Sequence, residues 1–318
     1  MAVLLVPGLV GSSSAAPGFS LFVIGNKPDA AAASQGGSAL MGGGRDVDEA
    51  FEWMAEGANG GDFVVLRSSG GDDYNEYIND LDPPLDSVAT LIVRKRSAAS
   101  DPQVLAQIAG AEAIFIAGGD QAAYLDLWKD TPLEDKLQER IDAGAVIGGT
   151  SAGLVVLSGH VYSARRGTVT SREALLDPFN RQVTLAGSFL SVPFLDDVLA
   201  DTHFSERNRE GRLVAFLARL FGDGPVRGIG VDEETALLVD DAGVATVEGQ
   251  GRVLLIDPVA VAAPNRLRRG DPLGWRSVPA SWASDGDTFD FNVAWTGNGL
   301  DDVTLSARRG RLNEQPVP

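Results

Sequence analysis

Ser151 stands in Gly149-Thr150-Ser151-Ala152-Gly153, the setting a nucleophilic hydroxyl needs. The apolar residues Ala145 to Ile147 run into Gly148-Gly149, and an apolar stretch follows Gly153. This is G-x-S-x-G between a strand and a helix, the context in which the motif carries chemistry. So sharp a turn strains the serine backbone, and the residues two positions away on either side must be small. The serine then sits at a helix N-terminus, where free N–H groups and the helix dipole favour negative charge. The Ala152 N–H points to where a tetrahedral oxyanion would form. A glycine-rich turn with an N-capping serine is the plain alternative. A second glycine turn, Gly118-Gly119-Asp120-Gln121, follows the apolar run Ala113 to Ala117. It could supply the other oxyanion donor from Gly119 or Asp120. A simple strand-to-helix turn capped by Asp120 is the more economical account.

A serine nucleophile needs a base, and the chain has two histidines, His160 and His203. His160 lies nine residues past Ser151. A helix of about 1.5 Å rise per residue would carry it away from the turn. His203, in Asp201-Thr202-His203-Phe204, is the better base. Its other ring nitrogen needs an acceptor to fix the tautomer. Asp232, Glu233 and Glu234, at the end of an apolar turn, are candidates, and Asp201 is a fourth; periodicity does not choose among them. Arg207, Arg209 and Arg212 follow within one short stretch. Helical spacing puts Arg209 and Arg212 on one face, fit to clamp a substrate carboxylate. A solvated face neutralised by Glu206 and Glu210 explains them equally well.

The formal net charge is −18 over 318 residues, which argues against nucleic acid or an anionic membrane as the main partner. A local arginine cluster still permits an acidic substrate. With no cysteine, thiol catalysis, disulfides and Cys-ligated zinc are excluded, and two histidines cannot build a multi-histidine metal site. The apolar start, Met1 to Phe19, is too short to span a membrane. It fits the h-region of an export signal and a loose start or buried first strand equally, so exported and cytoplasmic locations stand level.

The elements that must position these residues are short apolar runs alternating with amphipathic stretches. Phe19–Ile24, Ala39–Gly44, Asp62–Arg67, Ser87–Val93, Ala113–Ala117 and Ala145–Ile147 read as strands. Asp46–Glu56, Pro102–Ala109, Gln121–Trp128 and Leu133–Ala143 read as helices. Continuous apolar strands separated by helices imply a mostly parallel sheet covered on both faces, with ligands at the carboxyl ends of its strands. After Thr235 the pattern changes to short strands and tight turns, with Asp290–Ala294 and Val303–Ala307 as further candidates. The expected organisation is a signal-like or flexible segment 1–17, a catalytic domain 18–260 and a β-rich extension 261–318 packed on it.

Taken together, GGDQ, GGTSAG, D-x-HF-x-x-R-x-R-x-x-RL and GIGVDEETA, in this order, resemble the cyanophycinase family of serine peptidases, with aspartyl dipeptidases more distant. The resemblance covers roughly Phe19 to Ile256. It implies a three-layer α/β/α sandwich of the class-I glutamine amidotransferase type and a Ser–His–Glu triad of Ser151, His203 and Glu233. It puts Gln121, Asp201, Arg207, Arg209 and Arg212 on positions that line the substrate pocket, while the two glycine turns themselves suggest Ala152 and Gly119 as the oxyanion hole. It implies no metal or other cofactor, and an acidic peptide or cyanophycin-like polymer as substrate; a homodimer is compatible with it. The family cleaves the polyaspartate backbone of cyanophycin to β-aspartyl-arginine. Two departures mark this chain: Thr202 stands where cyanophycinases usually carry Gln, and the first-strand glycine pair is replaced by Gly25-Asn26, with a glycine run at Gly42-Gly43-Gly44. The rival readings are a dipeptidase for N-terminal aspartyl peptides and a catalytically silent binder of acidic peptides or polymers.

Overall fold

A computed structural model describes residues 18–26, 30, 32–222, 224, 226–258, 261–295 and 300–317. The signal-like start, 1–17, lies outside the described residues. The first half of the chain forms β1 (Phe19–Gly25), β2 (Ser38–Met41), α1 (Asp48–Ala58), β3 (Asp62–Arg67), α2 (Asp73–Asn79), β4 (Ser87–Val93), α3 (Pro102–Ala109), β5 (Ala113–Ile116), α4 (Gln121–Trp128), α5 (Pro132–Asp142), β6 (Val146–Thr150) and α6 (Ala152–Leu157). The second half forms β7 (His160–Tyr162), α7 (Ser171–Leu176), β8 (Leu185–Gly187), β9 (Val198–Asp201), α8 (Glu210–Leu220), β10 (Arg227–Val231), β11 (Thr235–Val239), β12 (Val244–Gly249) and β13 (Arg252–Ile256). It closes with β14 (Trp275–Ser284), β15 (Thr288–Asp290), β16 (Asp301–Arg308) and β17 (Arg311–Pro316).

The helices start where the sequence supplies caps. Asp101 caps α3, accepting from Gln103 N at 2.9 Å, with Pro102 in the first turn; Pro132 opens α5 in the same way. The first sheet runs β1-β4-β3-β5-β6-β2-β11-β12-β15. Its centre, β4-β3-β5-β6-β2, is parallel, and the flanking pairs are antiparallel. Strand alternation sorts its apolar residues. Phe63, Val65, Val88 and Phe115 pack with Phe51 and Met54 of α1 and Ile78 of α2. Val64, Leu66, Leu91 and Ile116 pack on the other face with α3, α4, α5 and α6. The expected α/β/α layering is the result.

A second sheet, β17-β16-β14-β13-β10-β9-β7-β8, lies beyond the α6 layer. Its β9 and β10 are apolar on both faces. Ala200, Ile229 and Val231 face the core shared with α6, and Leu199 and Leu254 of the neighbouring strand pack with Leu213 and Phe216 of α8. The C-terminal strands are not a separate layer. Through β13–β14 pairing they continue this second sheet, while β15 extends the first beside β12. Of Asp290–Ala294, expected as a strand, only Asp290 belongs to one, as the end of β15; the chain then turns. Asp290 Oδ1 accepts from Asn292 N at 2.8 Å and reverses the chain, which brings Phe291 and Trp295 into a buried cluster with Phe289.

Candidate active site

The site forms at the seam where the carboxyl ends of strands from both sheets meet. Ser151 follows β6, and His203 follows β9. Glu233 lies in the short crossing from β10, in the second sheet, to β11, in the first.

Ser151 has φ 52° and ψ −116°, a conformation that non-glycine residues avoid. It is held from both sides: its N–H donates to Met41 O at 3.1 Å and its carbonyl accepts from Val155 N at 3.1 Å. The flanking glycines are required by space. A Cβ on Gly149 would lie 2.6 Å from the Gly153 carbonyl carbon, and one on Gly153 would lie 1.9 Å from Ile116 O. Ser151 Oγ is 2.7 Å from His203 Nε2, and His203 Nδ1 is 2.5 Å from Glu233 Oε1. With the ring proton on Nδ1 facing the carboxylate, Nε2 is free to accept from the serine hydroxyl. Among the four carboxylates left open by the sequence, Glu233 is therefore the imidazole's partner. His160 opens β7 in the second sheet.

Burial lowers the His203 pKa from its ordinary value. The hydrogen bond to Glu233 opposes this, and the cations of Arg207 and Arg209 reinforce it. This favours the neutral imidazole, the form a base requires.

His203 also has positive φ, at 47°, as does Glu234, at 54°. The glycine run after β2 holds both. Gly42 O accepts from His203 N at 2.8 Å, and Gly43 O accepts from Glu234 N at 2.8 Å. A Cβ on Gly43 would fall 2.4 Å from His203 Cε1, and one on Gly44 would fall 2.9 Å from Glu233 Cβ. The imidazole and the carboxylate pack directly on bare backbone. Sequence reasoning noticed Gly42-Gly43-Gly44 only as a departure from pattern. The signal for its role was its place, three glycines at the end of an apolar strand.

Asp232 was open as the orienting acid. It is buried instead beneath the histidine loop, accepting from Ser205 N at 2.8 Å and Arg252 N at 3.1 Å. Gly118 lies beside Ser151, its Cβ position 3.7 Å from Ser151 Cβ. The Tyr124 hydroxyl, 2.8 Å from Ala117 O and 3.1 Å from Gly118 O, props that loop, a contact the sequence did not reveal. Asp120 caps α4 through Ala122 N at 2.9 Å, and Gly119 leads into that cap. Ala152 opens α6, so its N–H is among the first-turn donors without a partner inside the helix. Gln121, half-buried at the start of α4, is 3.4 Å from Tyr162 O.

The arginine row divides, with Arg209 and Arg212 turned inward and Arg207 half-exposed. Arg212 is 3% exposed and Asp201 2%. Arg212 Nε and Nη2 form a fork on the two Asp201 oxygens at 2.7 and 2.6 Å, and Nη1 reaches Thr168 Oγ1 at 3.0 Å. Their charges face each other beneath the histidine loop rather than a substrate. Burial works against the Arg212 charge, but the Asp201 carboxylate outweighs it and raises the pKa. Arg209 is also turned inward. It donates to Thr202 O at 2.6 Å and lies 3.4 Å from Asp201 Oδ1. Burial pushes its pKa down to about 10, which leaves it charged near neutrality. Arg207 alone of the row is half-exposed, with Nη2 3.7 Å from Glu233 Oε1.

This arrangement can be compared with known proteins. The family model described as peptidase family S51 matches residues 65–247. A cyanophycinase of Trichormus variabilis is 30% identical over 208 residues, 64% of this chain and 65% of its own. A cyanophycinase of Synechococcus elongatus is 32% identical over 223 residues, 69% of this chain and 65% of its own. The match thus spans somewhat less than two thirds of the length of these relatives. A crystal structure of a peptidase from an acI-B1 actinobacterium shares the fold, with TM-score 0.55 and 19% identity over 81% of this chain and 98% of that one. The match over more than half of the chain shows that this protein belongs to peptidase family S51.

Proposed function

We propose that this chain is a serine peptidase that cleaves peptide bonds at aspartyl residues through an acyl-enzyme, with cyanophycin-like polyaspartate as its substrate class. The observation that carries this reading is the unbroken hydrogen-bonded line from Ser151 Oγ through the His203 ring to Glu233. Family membership and the cyanophycinase relatives support it.

His203 Nε2 takes the Ser151 proton as Oγ attacks the scissile carbonyl, and Glu233 stabilises the imidazolium. The N–H groups of Ala152 and Gly119 receive the oxyanion. His203 then gives its proton to the leaving amine, and water, deprotonated by the same ring, releases the acyl group. The half-exposed guanidinium of Arg207 receives the free carboxylate beside the scissile bond. Arg209, Arg212 and Asp201 act through the loop that carries His203 and do not touch substrate.

Labelling by a fluorophosphonate, lost in Ser151→Ala, tests the nucleophile. Mass spectrometry of products from cyanophycin, isoaspartyl peptides and Asp-X dipeptides tests the substrate. Release of β-aspartyl-arginine is expected. Cleavage of Asp-X dipeptides alone would make the chain a dipeptidase, and neither labelling nor turnover would leave a binder.

A further inference from the structure

The C-terminal strands carry a feature that the catalytic reading does not use. Between the loop preceding β14 and the turn joining β16 to β17 lies a groove of about 610 Å³. Five arginines line it, Arg266, Arg268, Arg276, Arg308 and Arg309, against a single acidic residue, Asp271. Asp271 lies 3.7 Å from Arg266. Among the described residues no ion pair is present at Arg268, Arg276, Arg308 or Arg309, and all four are exposed. The whole chain has 44 acidic and 26 basic side chains, so such a concentration of unpaired cations runs against its overall charge. Like charges held together without counter-charges repel one another, and an anionic ligand relieves that repulsion.

One short helix links the groove to the histidine loop. At the start of α7, Ser171 Oγ accepts from Arg212 N at 3.1 Å. At its end, Leu175 O accepts from Leu273 N at 2.8 Å, and Asp177 accepts from Gly270 N at 2.9 Å. Six residues of helix are about 9 Å long. A polymer occupying the groove would therefore lie close to the arm that carries His203.

We propose that this groove is an exosite for an acidic polypeptide, binding consecutive free carboxylates displayed along a chain whose scissile bond sits at Ser151. The ligand is peptidic rather than nucleic acid. The guanidinium fork pairs bidentately with carboxylates, a groove of this volume admits a few residues of one extended strand, and a polypeptide is the polymer that a serine peptidase site would take. The proposal rests on the peptidase reading above for its purpose, but not for its test.

The probe is fluorescein-labelled poly-L-aspartate, with binding read by anisotropy on Ser151→Ala protein, which cannot acylate. Replacing three exposed side chains, Arg268→Gln, Arg308→Gln and Arg309→Gln, is expected to weaken Kd by about tenfold, and added salt is expected to narrow the difference. An unchanged Kd would overturn the exosite. Equal or tighter binding of a single-stranded DNA of matched charge would overturn the assignment to acidic polypeptide. With Ser151 restored, the triple variant should keep its kcat/KM on a short aspartyl peptide and show a raised KM for poly-L-aspartate; equal losses on both would also count against the exosite. A Kd shift without any turnover in wild type would leave the exosite standing and remove the peptidase. Turnover with no Kd shift would do the reverse.

Discussion

In the proposed reaction His203 must be neutral to take a proton from Ser151, and its surroundings favour that form. Protonation is opposed first by burial and then by Arg207, so kcat/KM should rise with pH along a limb centred below the ordinary imidazole value of about 6.5. Removing a nearby cation makes protonation easier. Arg207→Gln is therefore expected to move this limb to higher pH, as well as to raise KM for substrates with a carboxylate beside the scissile bond. A pH profile of kcat/KM for both proteins checks this, and an unmoved limb would separate Arg207 from the imidazole. Glu233→Gln deprives Nδ1 of its anionic acceptor and is expected to cut kcat by roughly 10³ to 10⁴, with the circular dichroism spectrum unchanged.

The elements hold these residues through backbone contacts that tolerate no side chain. Gly43, at φ 103°, lies against the imidazole, and a methyl group there must push the ring away or distort the turn. Gly43→Ala is expected to lower kcat by about 100-fold, since a shift of about 1 Å in a reacting group costs that much. Single-turnover kinetics at saturating substrate would measure it. Below the loop, the Arg212–Asp201 pair ties the start of α8 to the end of β9. Arg212→Met leaves the buried Asp201 carboxylate with only the longer contact to Arg209 and should cost about 3 kcal/mol, measured as a fall in the denaturation midpoint. Adding Asp201→Asn should recover part of that loss, because the poorly compensated charge is then gone.

At the scale of the whole molecule, the two sheets depend on each other. β14 covers the free edge of β13, and Trp282 and Val278 pack in the same cluster as Leu254 and α8. Deleting residues 261–318 would open that edge and expose this apolar face. The truncated chain is expected to be recovered aggregated, as size-exclusion chromatography would show. A soluble, active fragment would mean that the C-terminal strands are dispensable.

Much of this was legible in the sequence because it is local. The strands Asp62–Arg67 and Ser87–Val93 end where their apolar runs end, and the first-turn prolines mark the starts of α3 and α5. The glycines around Ser151 announced a tight turn, since only a missing Cβ admits the Ile116 carbonyl beside Gly153. Residue chemistry also limited the base to one of two histidines. The choice of Glu233 over Asp201, Asp232 and Glu234 as the partner of His203 was not local. It depends on a strand crossing from one sheet to the other. The inward turn of Arg209 and Arg212, the support given by Gly42-Gly43-Gly44 and the arginine groove beside β14 likewise depend on residues far apart in the chain. Sequence periodicity tells which side of an element is apolar; which groups face one another across two packed sheets is decided only when those sheets close over a common core.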